Sequence, residues 1–535
     1  MTSLPAASSP TTLAGLVGRA AALRPDGEAL IGLNRSFTWP EVHDRTARLA
    51  QLLVAGGVKK GERVAVLRPK GHESFEAVHA ILQAGAIMVP LDPMAPAAAA
   101  AAVLADAGVI ALVGHAETIK RAKPWDGNGP DLKLILATGS TESIQSDVAG
   151  SGISLVDINE LANYPLPERL PVVTLDDPSY LIYTSGSTGT PKGILHTHSS
   201  GLAYARCAVE IHQLNQHDRL AAMTGLHFDM STFELFAIPL AAGTIVEMSE
   251  PHLRFPASFT ERAAEQRTTI WYGVTFLLQQ ILERGALETR DWSSLRSVLF
   301  AGEVFPAAAL RALMEALPNT VFENVYGPAE VNASNVYRLT RPPADGESVP
   351  IGPGCGDAEM LVVDETEQPV PPGTKGVLWI SASTRMREYW NRSDLTAAST
   401  RRREDGPDWY VSGDVVTKES DGTVWFHGRS DHQVKLRGIR VELEGVESTL
   451  ADHPDILHAV AGPSGYRPGT LAATVVLRPG VHLDVRAIQK WSANRLPPVA
   501  IPAHIDVAET LPTTPSGKID RKRIRIALAA AKETA

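Results

Sequence analysis

The stretch YLIYTSGSTGTPKG runs from Tyr180 to Gly193. Its opening apolar and aromatic residues read as a buried strand. The remainder is built from Ser, Thr and Gly, closed by Pro191 and Lys192. Such text cannot fill a core and makes a poor helix, because Ser and Thr compete for backbone hydrogen bonds and Gly is too free. Glycines such as Gly186 and Gly189 let a backbone approach a ligand closely, and successive N–H groups can wrap an anion. The hydroxyls of Thr184, Ser185, Ser187 and Thr188 add donors, and Lys192 adds a mobile positive charge. Phosphate is the guest this chemistry suits. The stretch is not a Walker loop, because Lys192 follows Pro191 and precedes Gly193 instead of a Ser or Thr. A flexible surface loop is the alternative reading; the strand ahead of it favours phosphate.

The rest of the chain narrows the class. At 535 residues it is too long for one ordinary domain, and 44% hydrophobic residues suffice for a large core. A formal net charge of −10 argues against a nucleic-acid binder, which needs clustered Lys and Arg. Two cysteines, Cys207 and Cys355, cannot build a disulfide framework and point to a reducing compartment, so a cytoplasmic protein is expected. The opening MTSLPAASSPTT shows no secretory pattern. The apolar run from Ala95, APAAAAAAVLADAGVIALVG, is interrupted by Asp106 and Gly108. It reads as an Ala-rich helix and a buried strand, Val109 to Val113, and not as a membrane span.

Strand and helix signals alternate over most of the first part of the chain. ERVAVLRP (Glu62 to Pro69) is a strand, HESFEAVHAILQAG (His72 to Gly85) has helical spacing, and AIMVPLDP (Ala86 to Pro93) is a strand again. That is βαβ wiring and predicts α/β architecture with parallel sheets covered by helices. EMLVVDETEQPVPPGTKGVLWIS reads as a small antiparallel unit. After GRSDHQVKLRG (Gly428 to Gly438) the text reads strand–helix–strand–strand–helix, a compact α+β unit.

TSGSTGTPKG resembles the signature of the adenylate-forming superfamily: acyl-CoA synthetases, luciferases and nonribosomal peptide synthetase adenylation domains. LQAGAIMVPLDP, FDMSTFELF, LFAGEVF, NVYGPAE, YVSGD, GRSDHQVKLRGIRVELEGVE and PTTPSGKIDR are similar to the other motifs of that family, in its order and across nearly the whole chain. The resemblance implies a large N-terminal domain, residues 1–430, of parallel-rich α/β subdomains plus a small antiparallel β unit. A small mobile α+β domain, residues 431–535, completes it. The resemblance also implies ATP and Mg2+ as cofactors and a two-step reaction, in which a carboxylate attacks the α-phosphate and a thiol then displaces AMP.

It assigns roles residue by residue. Lys518, in SGKID, is the implied catalytic lysine, bridging carboxylate and α-phosphate oxygens; an ammonium suits a moving charge. Thr184 to Gly189 and Lys192 are implied at the phosphates. Gly302, Glu303, Asn324, Tyr326 and Gly327 are implied around adenine, Asp414 and Arg429 at the ribose or phosphate, and Glu330 on the metal. Asp431 is the implied hinge, after whose swing Lys435 and the Gly438 loop face the thiol. Two departures from the family pattern stand out, Ala329 where Thr is common and Val411 where Arg is common. HTH in LHTHSS, with His196 and His198, is too sparse for a metal site.

The acid is read from Asp229. Ser231 and Glu234 have capping-box spacing, so a helix is expected to start there and Asp229 is not needed as its cap. Amino-acid-activating members resemble this stretch, and their Asp pairs with the substrate ammonium, which a buried site requires. The implied pocket adds Met230, Phe233, Thr275, Leu299, Ala301, Val325, Ala333 and Ser334, all uncharged. A neutral, largely apolar amino acid is expected. YGPAEVN is also similar to stand-alone enzymes that activate β-amino acid starters for polyketide macrolactams, so α- and β-amino acids both stand. A free-standing enzyme that loads a separate carrier protein is expected, with no nucleic-acid or membrane partner. The competing functions are a CoA ligase for an acid without an amino group and a catalytically dead binding protein; Asp229 speaks against the first, Lys518 and Glu330 against the second.

Overall fold

The computed structural model describes residues 12–125, 131–184, 191–403, 406–430, 433–478, 480–481, 484–512 and 519–531. The expectations placed on Ser185, Gly186, Ser187, Thr188, Gly189, Asp431 and Lys518 lie outside these residues. Among the described residues, two eight-stranded sheets carry the first part of the chain. One contains Arg63–Leu67, Ile87–Pro90, Val109–His115 and Pro178–Thr184; the other contains Arg219–Ala222, Ile270–Val274, Ser297–Ala301 and Val321–Tyr326.

The strands are short apolar runs because both faces of a parallel sheet are covered. Arg63–Leu67 has four buried residues, Ile87–Pro90 is buried throughout, and the two pair in parallel with Arg63 opposite Ile87. The helix between them, His72–Gln83, buries every residue from Ser74 onward. It lies between the two sheets, so the largest apolar cluster joins Val64 and Met88 of one sheet to Leu220 and Ile245 of the other. The Ala-rich run folds as the helix Ala97–Ala107, capped by left-handed Gly108, and the strand Val109–His115. No described helix is long and apolar enough to cross a membrane.

Antiparallel pairing enters at the edges. Pro178–Thr184 pairs with Lys192–Thr197, with Thr184 opposite Lys192, so both stand at the root of the Ser/Thr/Gly loop. A five-stranded antiparallel sheet includes Glu359–Val363 and Lys375–Ser381, as EMLVV and KGVLWIS predict, and Asp408–Lys418 with Val424–Arg429.

The last part forms its own core around Leu450, Ile456, Leu471 and Ile488. It opens with a hairpin, Gln433–Leu436 against Ile439–Glu442, turning through Arg437 and Gly438 at φ +52° and +79°. Positive φ at both turn positions is the geometry that matches the twist of two-residue hairpins. The chain is richer here than its sequence pattern predicts: helix Val485–Ala493 leads to strand His504–Val507, which pairs in parallel with Leu471–Leu477.

The expected capping box at Ser231 is not made. Ser231 Oγ donates 3.1 Å to the Leu226 carbonyl, and Glu234 is turned into a buried ion pair with Lys70. A wide-turned helix, Phe233–Ala237, forms there with no side-chain cap.

Candidate active site

A cavity of about 730 Å³ opens at the carboxyl ends of the second sheet's strands. Ala301 and Tyr326 are the last residues of two neighbouring parallel strands, and both line it. Ligands of α/β sheets bind at this end because the loops that leave the strands converge there. The Gln433–Glu442 hairpin covers the opening and contributes Lys435, Gly438, Arg440 and Glu442 to the wall.

One side of the cavity is a polar relay. Asp414 is 4% exposed and accepts from the Tyr326 hydroxyl; Arg429 Nη1 lies 2.6 Å from its Oδ1. Arg429 also donates to the Ser412 carbonyl at 2.9 Å, which fixes the guanidinium. Burial first, and then the charge of Asp414, raise the Tyr326 hydroxyl well above the usual tyrosine value, so it stays a donor. Asn324 lines the cavity and donates 2.9 Å to the Pro350 carbonyl. Gly327 has to be glycine: a Cβ there would stand 1.6 Å from the Asn332 carbonyl oxygen. Gly302, at φ +98°, faces Gly438, whose Cα is 3.4 Å from where its Cβ would be. Burial raises the Glu303 pKa against the backbone N–H of Gly438.

Behind the wall formed by Arg440 and Glu442 lies a buried charged cluster. Glu330 is fully buried; it accepts from the Tyr389 hydroxyl at 2.6 Å and from Arg440 Nη1 at 3.1 Å. Burial alone would raise its pKa, but Arg440 and Lys192 outweigh that and bring it to about 2. Lys192 Nζ lies 3.5 Å from Glu442 Oε1 and 5.4 Å from the centre of the Tyr389 ring. His196 holds the turn before Glu330: its Nε2 is 3.0 Å from the Ala329 carbonyl, its Nδ1 3.2 Å from Ser200 Oγ, and it stacks on Tyr180. Burial lowers its pKa to about 4, so it is a neutral imidazole, with both ring nitrogens held by protein partners. No group of three or more His, Cys, Asp or Glu that could hold a metal exists among the described residues. A single ionised carboxylate beside a phosphate-suited loop still fits Mg2+, which takes one or two protein oxygens and completes its shell with phosphate and water.

The second side is the expected acid pocket. Asp229 lines it, with Met230, Ala301, Val325 and Ala333. Its Oδ1 accepts from the Met230 N–H at 3.0 Å. Burial raises its pKa; the Lys435 ammonium opposes that rise. Four expected wall residues stand elsewhere. Phe233 is packed in the core, edge-on to Tyr272. Leu299 is fully buried two residues deeper in its strand than Ala301. Thr275 and Ser334 are buried, held 3.4 Å from Glu303 and 3.0 Å from Asn335. In their place the wall has Tyr204, Thr232, Tyr272 and Asn332. Arg440, Glu442 and Tyr389 were also not singled out by sequence. The signal for the first two was present: charged residues at alternate positions in GIRVE share one strand face.

A large α/β part and a small α+β part that meet over one cavity make the adenylate-forming enzyme fold. Residues 17–390 match the AMP-binding enzyme family and residues 445–518 the AMP-binding enzyme C-terminal domain. The chain belongs to the AMP-binding enzyme family. It is 32% identical over 496 residues to the L-proline–[L-prolyl-carrier protein] ligase of Streptomyces coelicolor, with 91% of each chain covered. It is 31% identical over 522 residues to the dimodular nonribosomal peptide synthase of Bacillus subtilis, covering 96% of this chain and 21% of that protein, so it spans about a fifth of that relative. Its backbone is similar to that of the Vibrio cholerae adenylation domain AlmE in complex with glycyl-adenosine-5'-phosphate, with a TM-score of 0.83, 23% identity, and 99% and 100% of the two chains covered.

Proposed function

We propose that this protein activates a neutral, largely apolar amino acid, α or β, with ATP and passes it to the phosphopantetheine thiol of a separate carrier protein in natural-product biosynthesis. The observation that carries the reading is Asp229, a carboxylate in a wall shared with Met230, Ala301, Val325, Ala333, Thr232, Asn332 and two tyrosines, with the Lys435 ammonium acting on it from the hairpin. Burial disfavours its charge, and a substrate ammonium restores it. An acid without an amino group leaves that carboxylate with nothing to do. The S. coelicolor relative, named for joining proline to a prolyl-carrier protein, supports the carrier as second substrate.

In the first step a carboxylate oxygen bonds to the α-phosphorus of ATP and the bond to the leaving pyrophosphate breaks. Tyr326 and Asn324 take the adenine, with Gly302, Glu303 and Gly327 shaping its slot, and Asp414 and Arg429 hold the ribose. Thr184, the residues Ser185 to Gly189, and Lys192 steady the outer phosphates, and Lys518 bridges the reacting oxygens. Mg2+, held on Glu330 and phosphate, would offset the triphosphate charge. In the second step the thiol sulfur bonds to the acyl carbon and AMP leaves, with Lys435 and Gly438 beside it. We divide the chain at Asp431, with residues 1–430 binding both substrates and 431–535 moving between steps.

A pyrophosphate-exchange screen of α-amino, β-amino and non-amino acids tests the reading, on the wild type and on Asp229→Asn. Exchange with amino acids, lost by about a hundredfold or more in the variant, is expected. Strong exchange only with acids lacking an amino group overturns it and points to a CoA ligase.

A further inference from the structure

The two cysteines of the chain stand 148 positions apart and meet in the fold. Cys207 belongs to the helix His198–Ile211, and its S–H donates to Cys355 Sγ at 3.7 Å. Cys207 is half-buried, and Arg206 and Glu210 beside it are exposed, so its sulfur can be reached from solvent. Cys355 is 9% exposed and held in a turn. Its N–H donates 2.9 Å to the Ser334 carbonyl, and its own carbonyl accepts from the Ala358 N–H at 3.0 Å. Gly356 makes the meeting possible: it has φ +61°, and a Cβ there would stand 2.9 Å from Cys207 Sγ. Both sulfurs back onto the acid pocket. The Cys355 S–H donates 3.8 Å to the carbonyl of Ala333, which lines the cavity. Tyr204 lines it too and precedes Cys207 by three positions, which makes the two neighbours on one helix.

We propose that Cys207 and Cys355 are a reversible oxidation site, closed into a disulfide by a low-molecular-weight disulfide such as oxidised glutathione, and that the bond weakens binding of the acid. The effect on the acid rests on the amino-acid reading of the pocket; the oxidation stands without it. A single reversible bond is how paired cysteines serve where thiols are otherwise kept reduced. Cys207 attacks first. The Cys355 S–H can turn to a Cys207 thiolate and lowers its pKa, against burial and the Asp357 and Glu210 carboxylates. The same partner, and then burial, raise that of Cys355. The Cys207 sulfur bonds to one sulfur of the oxidant, whose S–S bond breaks; the departing thiolate takes the proton that left Cys207. The Cys355 sulfur then bonds to the Cys207 sulfur and expels the second small thiol, which takes the Cys355 proton. Two protein thiols are oxidised and one small disulfide is reduced to two thiols. The bond removes the S–H that Cys355 holds toward the Ala333 carbonyl and draws the Tyr204 helix and the Ala333 segment together. Asp414 and Arg429 stand on other strands, so the ribose side keeps its shape.

The test treats the full chain with oxidised glutathione or with dithiothreitol. Non-reducing peptide mapping by mass spectrometry should find the Cys207 and Cys355 peptides joined after oxidation and separate after dithiothreitol. Cys355→Ser should instead hold one glutathione on Cys207, and Cys207→Ser should take up little or none. In pyrophosphate exchange with the acid the wild type uses, oxidation should raise the KM for that acid about tenfold, the scale on which a pocket reads a change of one methylene. Dithiothreitol should restore it, and the KM for ATP should not move. Cys207→Ser/Cys355→Ser should be indifferent to the oxidant. Failure to join the two peptides at any ratio of oxidised to reduced glutathione overturns the oxidation site. A joined protein whose KM for the acid is unchanged, or whose KM for ATP rises equally, overturns the link to the pocket. Absence of exchange with any acid by the reduced protein instead removes the amino-acid reading and the effect that rests on it, while the peptide map still decides the oxidation.

Discussion

Replacing Gly438 by alanine tests whether the hairpin must seat its turn against the end of strand Ile270–Val274. Gly438 has φ +79°, and a Cβ built on it stands 2.3 Å from Val274 Cγ1 and 2.9 Å from Val274 Cβ. Two penalties add. The left-handed backbone costs a residue with a Cβ about 1–2 kcal/mol. The overlap, more than 1 Å inside normal contact for Cγ1, costs about another 1–3 kcal/mol when the site cannot relax. The first penalty is present docked or undocked if the turn persists; the second falls on the docked arrangement alone. At about 1.4 kcal/mol per factor of ten, docking should weaken roughly five- to a hundredfold. Single-turnover transfer from a preformed adenylate measures this, with pyrophosphate exchange as the control for the first step. Val274→Ala removes Cγ1 but leaves Cβ, so Gly438→Ala/Val274→Ala should recover part of the loss. Wild-type transfer by Gly438→Ala, or no recovery in the pair, would refute the contact as the cause.

Two more residues of the site make testable demands. Lys518→Ala should retain ATP binding by calorimetry and lose pyrophosphate exchange by about a hundredfold or more, since it is assigned to the charge that develops between two anions; full exchange removes that assignment. His196 should make the fold acid-sensitive. Its folded pKa lies at about 4 against 6.5 for the free side chain, so the unfolded chain takes up the proton first as pH falls. The stability it lends is complete above about pH 6.5 and drains away as pH falls to about 4, roughly 2 kcal/mol of it between pH 7 and pH 5. Denaturant midpoints at those two pH values, compared with His196→Gln, check this; an unchanged pH slope in the variant counts against it.

Much of the architecture was legible because parallel strands buried on both faces leave continuous apolar runs. Arg63–Leu67, His72–Gln83 and Ile87–Pro90 are each readable from their own residues. The capping box was not, because Glu234 answers to Lys70, 164 residues away, and local spacing carries no trace of that partner. The same distinction runs through the site. Asp229 and Asp414 sit in recognisable motifs and line one cavity, and Glu330 lies buried behind its wall, joined to it through Arg440. Leu299 shares a strand face with Ala301 yet lies too deep to reach the wall, a matter of depth that a motif does not encode. Arg440 is plain in the sequence as a charged strand residue; that it lands on Glu330, 110 positions earlier, only the fold can say.

The two ion pairs at the hairpin also constrain how such enzymes can be recombined. Each pair is split between the large part of the chain and its last hundred or so residues, Glu330 and Lys192 on one side of any exchange junction near residue 431, Arg440 and Glu442 on the other. The wall around Asp229 lies wholly on the first side, apart from Lys435. A graft confined to the wall around Asp229 therefore leaves the matched charges in place, whereas a chimera that takes its last part from a relative keeps both ion pairs only if the donor strand brings a cation and an anion to those same two alternate positions.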